Sequence, residues 1–534
     1  MKKKTTIILI IFLVLMVSCT QRDTNPPDIL LIMADDMGYS DLGCYGSEIQ
    51  TPNLDQLAAS GLRFTRFYNT SRCCPTRASL LTGLYPHQAG MGGMTTLKTA
   101  DKANPFQGYL NDHCVTLAEV LKTAGYQTYM SGKWHVGEFR PHWPVDRGFD
   151  EYYGLVSGAM NYWDITLAKT KGLVRTFAQN DKSFIPEPGD FYSTDAFTNE
   201  AIRMLTDHSE LEREHNEKIP FFIYVAYNAP HWPLHAPEEV IEKYQGNYMD
   251  GWSELRKQRY QRMIELKLLD DNWQLSPGDG ADWDTLDEST KYEMDRKMAV
   301  YAAMIDRLDQ NIGNLVNKLE EMGRLKNTVI MFLSDNGACH ESGFLGHNFR
   351  PDLTGSIGSM NSYHSYGRSW SNASNTPFRL HKHWVHEGGI STPFIVHWSN
   401  GLKTKEGGLT HQPGHVIDIM ATCCELAGIS YPEQHNNHKI IPLEGKSLVP
   451  IFKGYERKGH EIIYWEHMGN MAVRKEPWKL VKTNNGEWEL YNVESDRTEL
   501  KDLSEEMPGK VQELIKIYNA KAAKTGMPVW KDEG

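Results

Sequence analysis

Short apolar runs that stop abruptly in polar clusters constrain the fold of this chain more than any other feature. The runs 29–34, 221–227 and 328–333 contain almost no polar side chain. Runs of this kind are typical of strands buried on both faces of a parallel sheet. Ligands bind at the carboxyl ends of the strands in such sheets, so the polar residues that follow the runs are expected to share one edge. With Lys133 and His135, which follow a further strand candidate at 126–130, these residues are Asp35, Asp36, His231, Asp335 and Asn336.

The alternation of these runs with helical patterns predicts an α/β domain. Apolar residues recur at helical spacing in 52–61, in 116–125 and, over the longest stretch, in 291–322. Further strands are expected at 126–130 and 392–398. We therefore predict a large mixed, mostly parallel sheet sandwiched by helices, within a domain that spans residues 28–430.

After residue 430 the pattern changes to short strand candidates separated by turns. The candidates span 462–465, 471–474, 478–481 and 488–491, and a closing helix is expected at 510–521. Asn-Asn-Gly before the last candidate is a typical turn sequence. These features predict a smaller C-terminal α+β subdomain, residues 431–534, built on an antiparallel sheet.

The N-terminus has the pattern of an export signal. Three lysines precede the apolar run 7–17, which is too short to span a bilayer, and Ser18 and Cys19 follow. We predict a signal peptide at 1–18. A small residue before Cys resembles a bacterial lipoprotein cleavage site, so Cys19 is expected to be lipidated; an ordinary signal peptide with an incidental Cys is the alternative. Residues 19–27 would then be a lipidated tether made by lipoprotein-processing machinery, holding an exported protein to a membrane in the periplasm, at the outer membrane or on the cell surface.

Composition excludes several classes of protein. The formal net charge of −12 argues against a nucleic-acid partner. The chain has 14 Trp, 25 Tyr and 18 Phe, which is ample core material and argues against disorder. Eight Cys are few for a disulfide framework in 534 residues.

Two acidic clusters predict a metal site. Asp35-Asp36 and Asp335-Asn336 offer four oxygen-bearing side chains and no soft ligand, which suits Ca²⁺ or Mg²⁺. A pair of aspartates in a turn is also common in solvated loops and helix caps, and that interpretation stays open at this point.

The segment 71–83 predicts a helix with a reactive start. Pro75 suits a first helical turn and Gly83 a helix end, so Cys73 is expected just before the helix, whose free N–H groups favour an anion. Arg77, one turn inside, would contact that anion. A thiolate nucleophile at Cys73 is one interpretation. A structural cysteine or a vicinal disulfide with Cys74 is the other.

The same segment resembles the signature of the type I sulfatases. The matching residues are Cys73, Pro75, Arg77, Leu81, Thr82 and Gly83. Further family segments are matched by 132–135, by 230–233, by 334–337 and by 375–389, so the resemblance covers the chain from Asp28 to about Leu503. The chain looks closest to the bacterial arylsulfatase branch. Thr76 is a departure, because Ser or Ala is commoner there.

The resemblance implies an alkaline-phosphatase-like fold, a sulfuric ester hydrolase activity and two cofactors. A maturation enzyme would oxidise Cys73 to formylglycine (3-oxoalanine). Calcium would be bound by Asp35, Asp36, Asp335, Asn336 and position 73. Arg77, Lys133 and Lys382 would stabilise negative charge, His231 would protonate the leaving group with Lys382, and His135 would deprotonate the second hydroxyl of the hydrated aldehyde.

The substrate is expected to be a carbohydrate sulfate ester, with aryl sulfates as test substrates. His467, Asn161 and His340 are candidate substrate-binding residues, and Trp163 and Trp465 are candidates for stacking on a sugar. All five are also plausible as packing or rim residues. Two alternatives to a sulfatase remain: a phosphonate monoester or phosphodiester hydrolase of the same superfamily, and a non-catalytic glycan-binding lipoprotein.

Overall fold

A computed structural model describes residues 26–95, 104–270, 272–404 and 407–531. The predicted signal peptide, Cys19 and most of the predicted tether lie outside these residues. The strands are β1 Asp28–Ala34, β2 Leu62–Tyr68, β3 Gln127–Gly132, β4 Glu151–Leu155, β5 Phe177–Gln179, β6 Lys182–Ser183, β7 Phe221–Ala226, β8 Thr328–Ser334, β9 Ser391–His397, β10 Gly408–Thr410, β11 Gly414–His415, β12 Gln434–His435, β13 His438–Lys439, β14 Ile463–His467, β15 Asn470–Lys475, β16 Trp478–Lys482 and β17 Glu489–Asn492.

The helices alternate with these strands. They are α1 Pro52–Ala59, α2 Cys73–Thr82, α3 Leu117–Lys122, α4 Ser193–His215, α5 Glu238–Ile241, α6 Gly251–Glu265, α7 Glu288–Glu321, α8 Gly367–Ser374, α9 Glu387–Ile390, α10 Asp418–Ala427, α11 Val449–Phe452 and α12 Pro508–Thr525. Short 3₁₀ helices span Gly43–Tyr45, Pro144–Arg147, Trp283–Thr285 and Leu325–Asn327. In the described part of the chain, no helix is long and apolar enough to cross a membrane.

The large sheet is mixed and mostly parallel, as predicted. Its order is β10-β2-β9-β8-β1-β7-β3-β4-β5-β6, and β11 pairs with β2. The central strand β1 runs parallel to β8 and β7, whereas β9 is antiparallel to both β8 and β2. The apolar runs are therefore the middle strands of the sheet, where backbone pairing on both sides excludes water.

Helices cover both faces of this sheet, and the side chains of β1 show how. Leu30 and Ile32 pack in one cluster with Met304 and Leu308 of α7. Ile29 and Leu31 point the other way and join a cluster that includes apolar residues of α2, α3 and α10. Since all of 29–34 is buried, the alternation of the pleat divides one apolar run between two cores.

The predicted C-terminal antiparallel sheet is confirmed. Strands β14, β15, β16 and β17 follow one another as an antiparallel meander, and α12 packs against β15 and β16. One face of this sheet packs with Leu514 and Tyr518 of α12, while the other packs with Tyr68, Val385 and Ile390 of the large domain. The second sheet thus lies against the segment that leads into β9.

A buried ion cluster joins the two sheets. Glu387, at the start of α9, lies 3.0 Å from Lys479 Nζ of β16 and 3.0 Å from Arg497 Nε. Lys479 also pairs with Glu499 at 2.7 Å. All four side chains are buried. Charges this deep require mutual pairing, so the cluster fixes the second sheet in one position on the first.

Candidate active site

Two acidic clusters meet at the carboxyl edge of the large sheet. Strand β1 ends just before Asp35, and its neighbour β8 ends just before Asp335, with Ala34 and Ser334 in register. The backbone N–H of Asp36 donates to Asp335 Oδ1 at 3.2 Å. Asn336 donates from its amide to Asp36 Oδ1 at 2.6 Å. Parallel pairing of two middle strands therefore brings together oxygens that are 300 residues apart in sequence.

Lysines surround this oxygen cluster. Lys133 Nζ lies 2.6 Å from Asp35 Oδ2, and Lys382 Nζ lies 2.7 Å from Asp36. All four side chains are buried. Burial raises the pKa of Asp35 well above its ordinary value, and the nearby Asp335 adds to this effect. Burial alone would also raise the pKa of Asp36, but His231 and Lys382 together hold it below its ordinary value.

Two oxygens of the cluster have no hydrogen-bond partner among the described residues. They are Asp35 Oδ1 and Asn336 Oδ1, and both are buried. A buried acceptor without a donor is costly, so such atoms in a native site call for an explanation. Carboxylate and amide oxygens are ligands for a hard divalent cation, and a bound cation would satisfy both atoms.

Cys73 is the first residue of α2. The sequence predicted this residue just before the helix, but Arg72 is the N-cap and helical geometry begins at Cys73. Gly83 ends the helix with φ 71°, as expected for a glycine C-cap. A hydrogen bond from the Cys74 thiol, with Lys133 and His135 nearby, holds the pKa of Cys73 well below its ordinary value despite burial.

Cys74, to which the sequence assigned no role, contacts His135. The Cys74 Sγ lies 3.2 Å from His135 Nε2. The ligand atoms of Cys73, Cys74 and His135 all lie within 4.8 Å of one another. Burial is the main cause of the lowered pKa of His135, so its ring is neutral at neutral pH and able to accept a proton. The adjacency of Cys74 to Cys73 was the one signal for it in the sequence.

Arg77 is buried beneath the acidic cluster. Its Nε and Nη2 donate to Asp335 Oδ2 at 3.1 and 2.8 Å, and Nη1 donates to the carbonyl of Lys133 at 2.9 Å. The guanidinium thereby orients Asp335 and ties the start of α2 to the end of β3. Its fixed charge lies one helical turn from Cys73.

His231 lies next to Asp36. Its Nε2 lies 3.4 Å from Asp36 Oδ2, and its Nδ1 is 2.5 Å from the carbonyl oxygen of Trp232. A carbonyl only accepts, so Nδ1 carries a proton and Nε2 is the atom available for exchange. Burial lowers the pKa of His231 to about 4.

A cavity of about 450 Å³ opens above these groups. Cys73, His135, His231 and Lys382 lie in its wall. The sequence missed the rest of the wall, which includes Arg72, Glu138, Lys169, Arg175, Trp232 and Glu341. These residues come from loops whose sequence carries no periodic pattern, so only the fold identifies them.

None of the three candidate substrate-binding residues is among the described residues that line the cavity. Asn161 donates to Met360 O at 2.8 Å and accepts two backbone N–H groups, so its amide fixes a loop. His340 packs against Trp384, with ring centroids 4.6 Å apart. His467 is buried beside His383, and neither of its ring nitrogens has a hydrogen-bond partner in the described chain. Burial lowers the pKa of both His340 and His467 to about 3.

The candidate stacking residues are also engaged elsewhere. Trp465 is buried and its indole donates to Asn69 O at 2.8 Å. Trp163 packs against Tyr192 and His235. The aromatic ring in the cavity wall is that of Trp232 instead.

Comparison with known proteins decides the family. A sulfatase family model matches residues 27–429, and a model of the C-terminal part of N-sulphoglucosamine sulphohydrolase matches 378–524. The chain belongs to the sulfatase family. An uncharacterized sulfatase of Schizosaccharomyces pombe is 34% identical over 96% of both chains. An arylsulfatase of Klebsiella aerogenes is 34% identical over 80% of this chain and 92% of its own length.

A solved structure extends the similarity to the whole fold. The crystal structure of Ps i-CgsB in complex with k-i-k-neocarrahexaose has a TM-score of 0.68, with 27% identity over 95% of both chains. As a member of the sulfatase family, the chain is a sulfuric ester hydrolase. The acidic edge, the helix start at Cys73 and the basic residues around them form the region in which that chemistry is expected.

Proposed function

We propose that this sulfatase hydrolyses sulfate monoesters of carbohydrates by means of formylglycine at position 73 and a calcium ion. One observation carries the proposal: Cys73, at the buried start of α2, lies close both to oxygen atoms that can bind a metal and to the buried cations Arg77, Lys133 and Lys382. The neocarrahexaose bound in the related Ps i-CgsB structure and the name arylsulfatase of the Klebsiella relative support the substrate class.

The residues at the sheet edge fit a calcium ion. Asp35, Asp36, Asp335 and Asn336 would hold it, and the unpartnered oxygens of Asp35 and Asn336 supply a reason for it. When bound, calcium supplies Lewis-acid polarisation of a sulfate oxygen. Asp35 and Asp36, which Lys133 and Lys382 contact, would be among its ligands.

The surroundings of Cys73 fit its oxidised form. In its hydrated form, formylglycine would supply one hydroxyl that attacks sulfur and a second hydroxyl whose deprotonation restores the aldehyde as sulfate leaves. His135 is neutral and lies beside position 73, so its Nε2 takes up the proton from that second hydroxyl. Arg77 and Lys133 hold positive charge where negative charge develops on sulfate.

His231 is proposed to donate a proton to the leaving oxygen. Its Nδ1 is engaged with the Trp232 carbonyl, so the transferable proton is the one on Nε2. A bound sulfate ester places negative charge beside the ring and favours the protonated form. Lys382, 2.7 Å from Asp36, lies on the same side and stabilises the departing alkoxide.

Mass spectrometry of the peptide that contains position 73 tests whether Cys73 is oxidised to formylglycine. The full chain, co-expressed with a formylglycine-generating enzyme, is expected to show Cys73 as the aldehyde and to hydrolyse 4-nitrophenyl sulfate. Cys73→Ala is expected to abolish turnover, while Cys424→Ala, on α10, serves as the matched control. An unmodified thiol in an active enzyme would contradict the proposal.

Two further measurements separate this proposal from its rivals. Chelation is expected to lower activity and Ca²⁺ to restore it, because the acidic cluster then loses and regains its cation. A higher kcat/KM for an aryl phosphate diester than for the aryl sulfate would favour the phosphodiesterase alternative. Absence of any turnover in formylglycine-containing protein would favour the glycan-binding one.

A further inference from the structure

Two cations in the cavity wall have no carboxylate partner in the described part of the chain. They are Lys169 and Arg175, and both lie in the loop between β4 and β5. We propose that they form a second anion subsite, which binds a second sulfate or a carboxylate on the sugar that leaves. This inference rests on the proposed function and narrows its substrate class to glycans with a second negative charge near the scissile ester.

Lys169 is positioned by aromatic rings. Its Nζ lies 5.0 Å from the ring centroid of Trp232 and 4.3 Å from that of Phe349. The two rings stack with centroids 4.5 Å apart. A lysine over a pair of aromatic faces is held by cation–π attraction and keeps its charge for another ligand.

The position of Trp232 places this charge on the leaving-group side. Trp232 follows His231 directly, and their rings lie 5.3 Å apart. His231 is the proposed proton donor to the leaving oxygen, so the sugar that departs lies against this part of the wall. The Trp232 ring therefore separates Lys169 from His231 and from the scissile bond.

Arg175 shows the signature of an unsatisfied donor. Its Nε is buried and has no hydrogen-bond partner among the described residues. The backbone next to it is fixed, because Thr176 N donates to Ser157 Oγ at 3.1 Å. A guanidinium that lines the cavity next to a fixed backbone, with an unpartnered N–H, is suited to a bidentate contact with sulfate or carboxylate.

The acidic residues of the cavity are engaged elsewhere. Glu341 pairs with Arg72 at 3.4 Å. Glu138 accepts hydrogen bonds from Thr95 at 2.6 Å and Ser157 at 3.1 Å. With Glu341 paired to Arg72 and Glu138 bonded only by neutral hydroxyls, the remaining side-chain charges are two positive, at Lys169 and Arg175, against one negative, at Glu138, so the excess in this part of the wall is positive.

This positive charge differs from that of the reaction centre. There Lys133, Lys382 and Arg77 are each bound to an aspartate, so they serve the metal and the scissile sulfate. Lys169 and Arg175 are not paired with an aspartate in the described chain. A cavity of about 450 Å³ has room for a sugar ring between the two sets.

Inhibition of 4-nitrophenyl sulfate hydrolysis by paired sugars tests the subsite. N-acetylgalactosamine 6-sulfate is compared with its 4,6-disulfate, and κ-neocarrabiose with ι-neocarrabiose, so that the second sulfate lies on the same ring or on the next. In at least one pair, the wild-type inhibition constant is expected to be about tenfold lower for the doubly charged sugar.

The double variant Lys169→Met/Arg175→Met is expected to lose this preference. Lys171→Met is the matched control, because Lys171 is two residues away, exposed and 3.9 Å from Asp352, and it should keep the preference. If the double variant does not fold, Lys169→Glu at this exposed position is tested instead. It should make the inhibition constant higher for the doubly charged sugar than for the singly charged one.

The outcomes are distinguishable from failure of the proposed function. Equal inhibition constants in the wild type, or a preference that survives in the variants, would overturn the subsite while leaving the sulfatase intact. If the wild type hydrolyses no aryl sulfate, the proposed function fails, and calorimetric titration of the same four sugars decides the subsite alone.

Discussion

At the scale of single residues, the site depends on buried charges that hold one another in place. Arg77 is the clearest case, since three of its nitrogens are committed to Asp335 and to the backbone of Lys133. A lysine at this position retains the charge but cannot make the forked contact. Asp335 would then lose its fixed orientation beside Asp36.

We expect Arg77→Lys to lower kcat/KM for an aryl sulfate by about 10²-fold to 10³-fold, as for the loss of one preorganised donor. Initial rates, normalised to the formylglycine content of each preparation, would measure this. Arg203→Lys on the surface of α4 is the control, because exposed ion pairs contribute little. A loss below threefold in fully matured protein would contradict the role given to Arg77.

The role proposed for His231 predicts a dependence on the leaving group. Nitrophenolate leaves without much protonation, whereas a sugar or alkyl alkoxide requires a proton. His231→Asn should therefore slow an alkyl sulfate by about 10³-fold and 4-nitrophenyl sulfate by about tenfold. The slope of log kcat against leaving-group pKa, across a series of aryl sulfates, checks this. Equal losses for all esters would assign His231 to binding alone.

The residues that the sequence predicted are those with sharp local patterns. Asp35, Lys133 and Asp335 each follow a buried strand directly, and His231 follows β7 after a short turn, so that strand pairing brings them to one edge. Lys169 and Trp232 line the cavity, and Cys74 contacts His135 beside it, without any such pattern. Contacts between loops decide their positions, and a sequence without its fold does not specify those contacts.

At the scale of elements, the turn after β8 must pass very close to α9. A Cβ on Gly337 would lie 1.8 Å from the carbonyl oxygen of Gly388. Gly337 N also donates to Gly389 O at 3.1 Å. The glycine therefore lets the Asp335–Asn336 turn pack against the segment that carries Lys382.

Gly337→Ala is expected to destabilise the fold by about 1–3 kcal/mol, the usual cost of overpacking, and to weaken Ca²⁺ binding because the turn shifts. Urea unfolding and a calcium titration of activity measure the two effects. Gly459→Ala is the control, since a Cβ there meets nothing within 4 Å. Unchanged calcium dependence in Gly337→Ala would show that the turn does not position the metal ligands.

At the scale of the whole molecule, the two sheets were predictable but their junction was not. Apolar runs and hairpin spacing predicted each sheet to within a few residues. Glu387 has no local signal that it would meet Lys479 and Arg497, about 100 residues later, in a buried cluster. Long-range pairing of buried charges leaves no periodic trace in a single sequence.

This junction predicts a pH-dependent contribution to stability. Burial would raise the pKa of Glu387, but Lys479 and Arg497 hold it well below its ordinary value of 4.5. A carboxyl whose folded pKa is depressed stabilises the fold above its unfolded pKa, and that contribution is lost as the pH falls through the folded pKa. Removing one member of a buried ion cluster also leaves the other charges unpaired.

Glu387→Gln is therefore expected to lower the free energy of unfolding by about 3 kcal/mol at pH 7. The difference from the wild type should narrow as the pH falls below about 4.5, because the wild-type carboxylate then loses its advantage. Urea unfolding at pH 7 and pH 4, with the exposed Glu494→Gln as control, measures both quantities. A difference that stays constant or widens on acidification would mean that Glu387 holds the two sheets together through the hydrogen bonds its oxygens accept rather than through its charge.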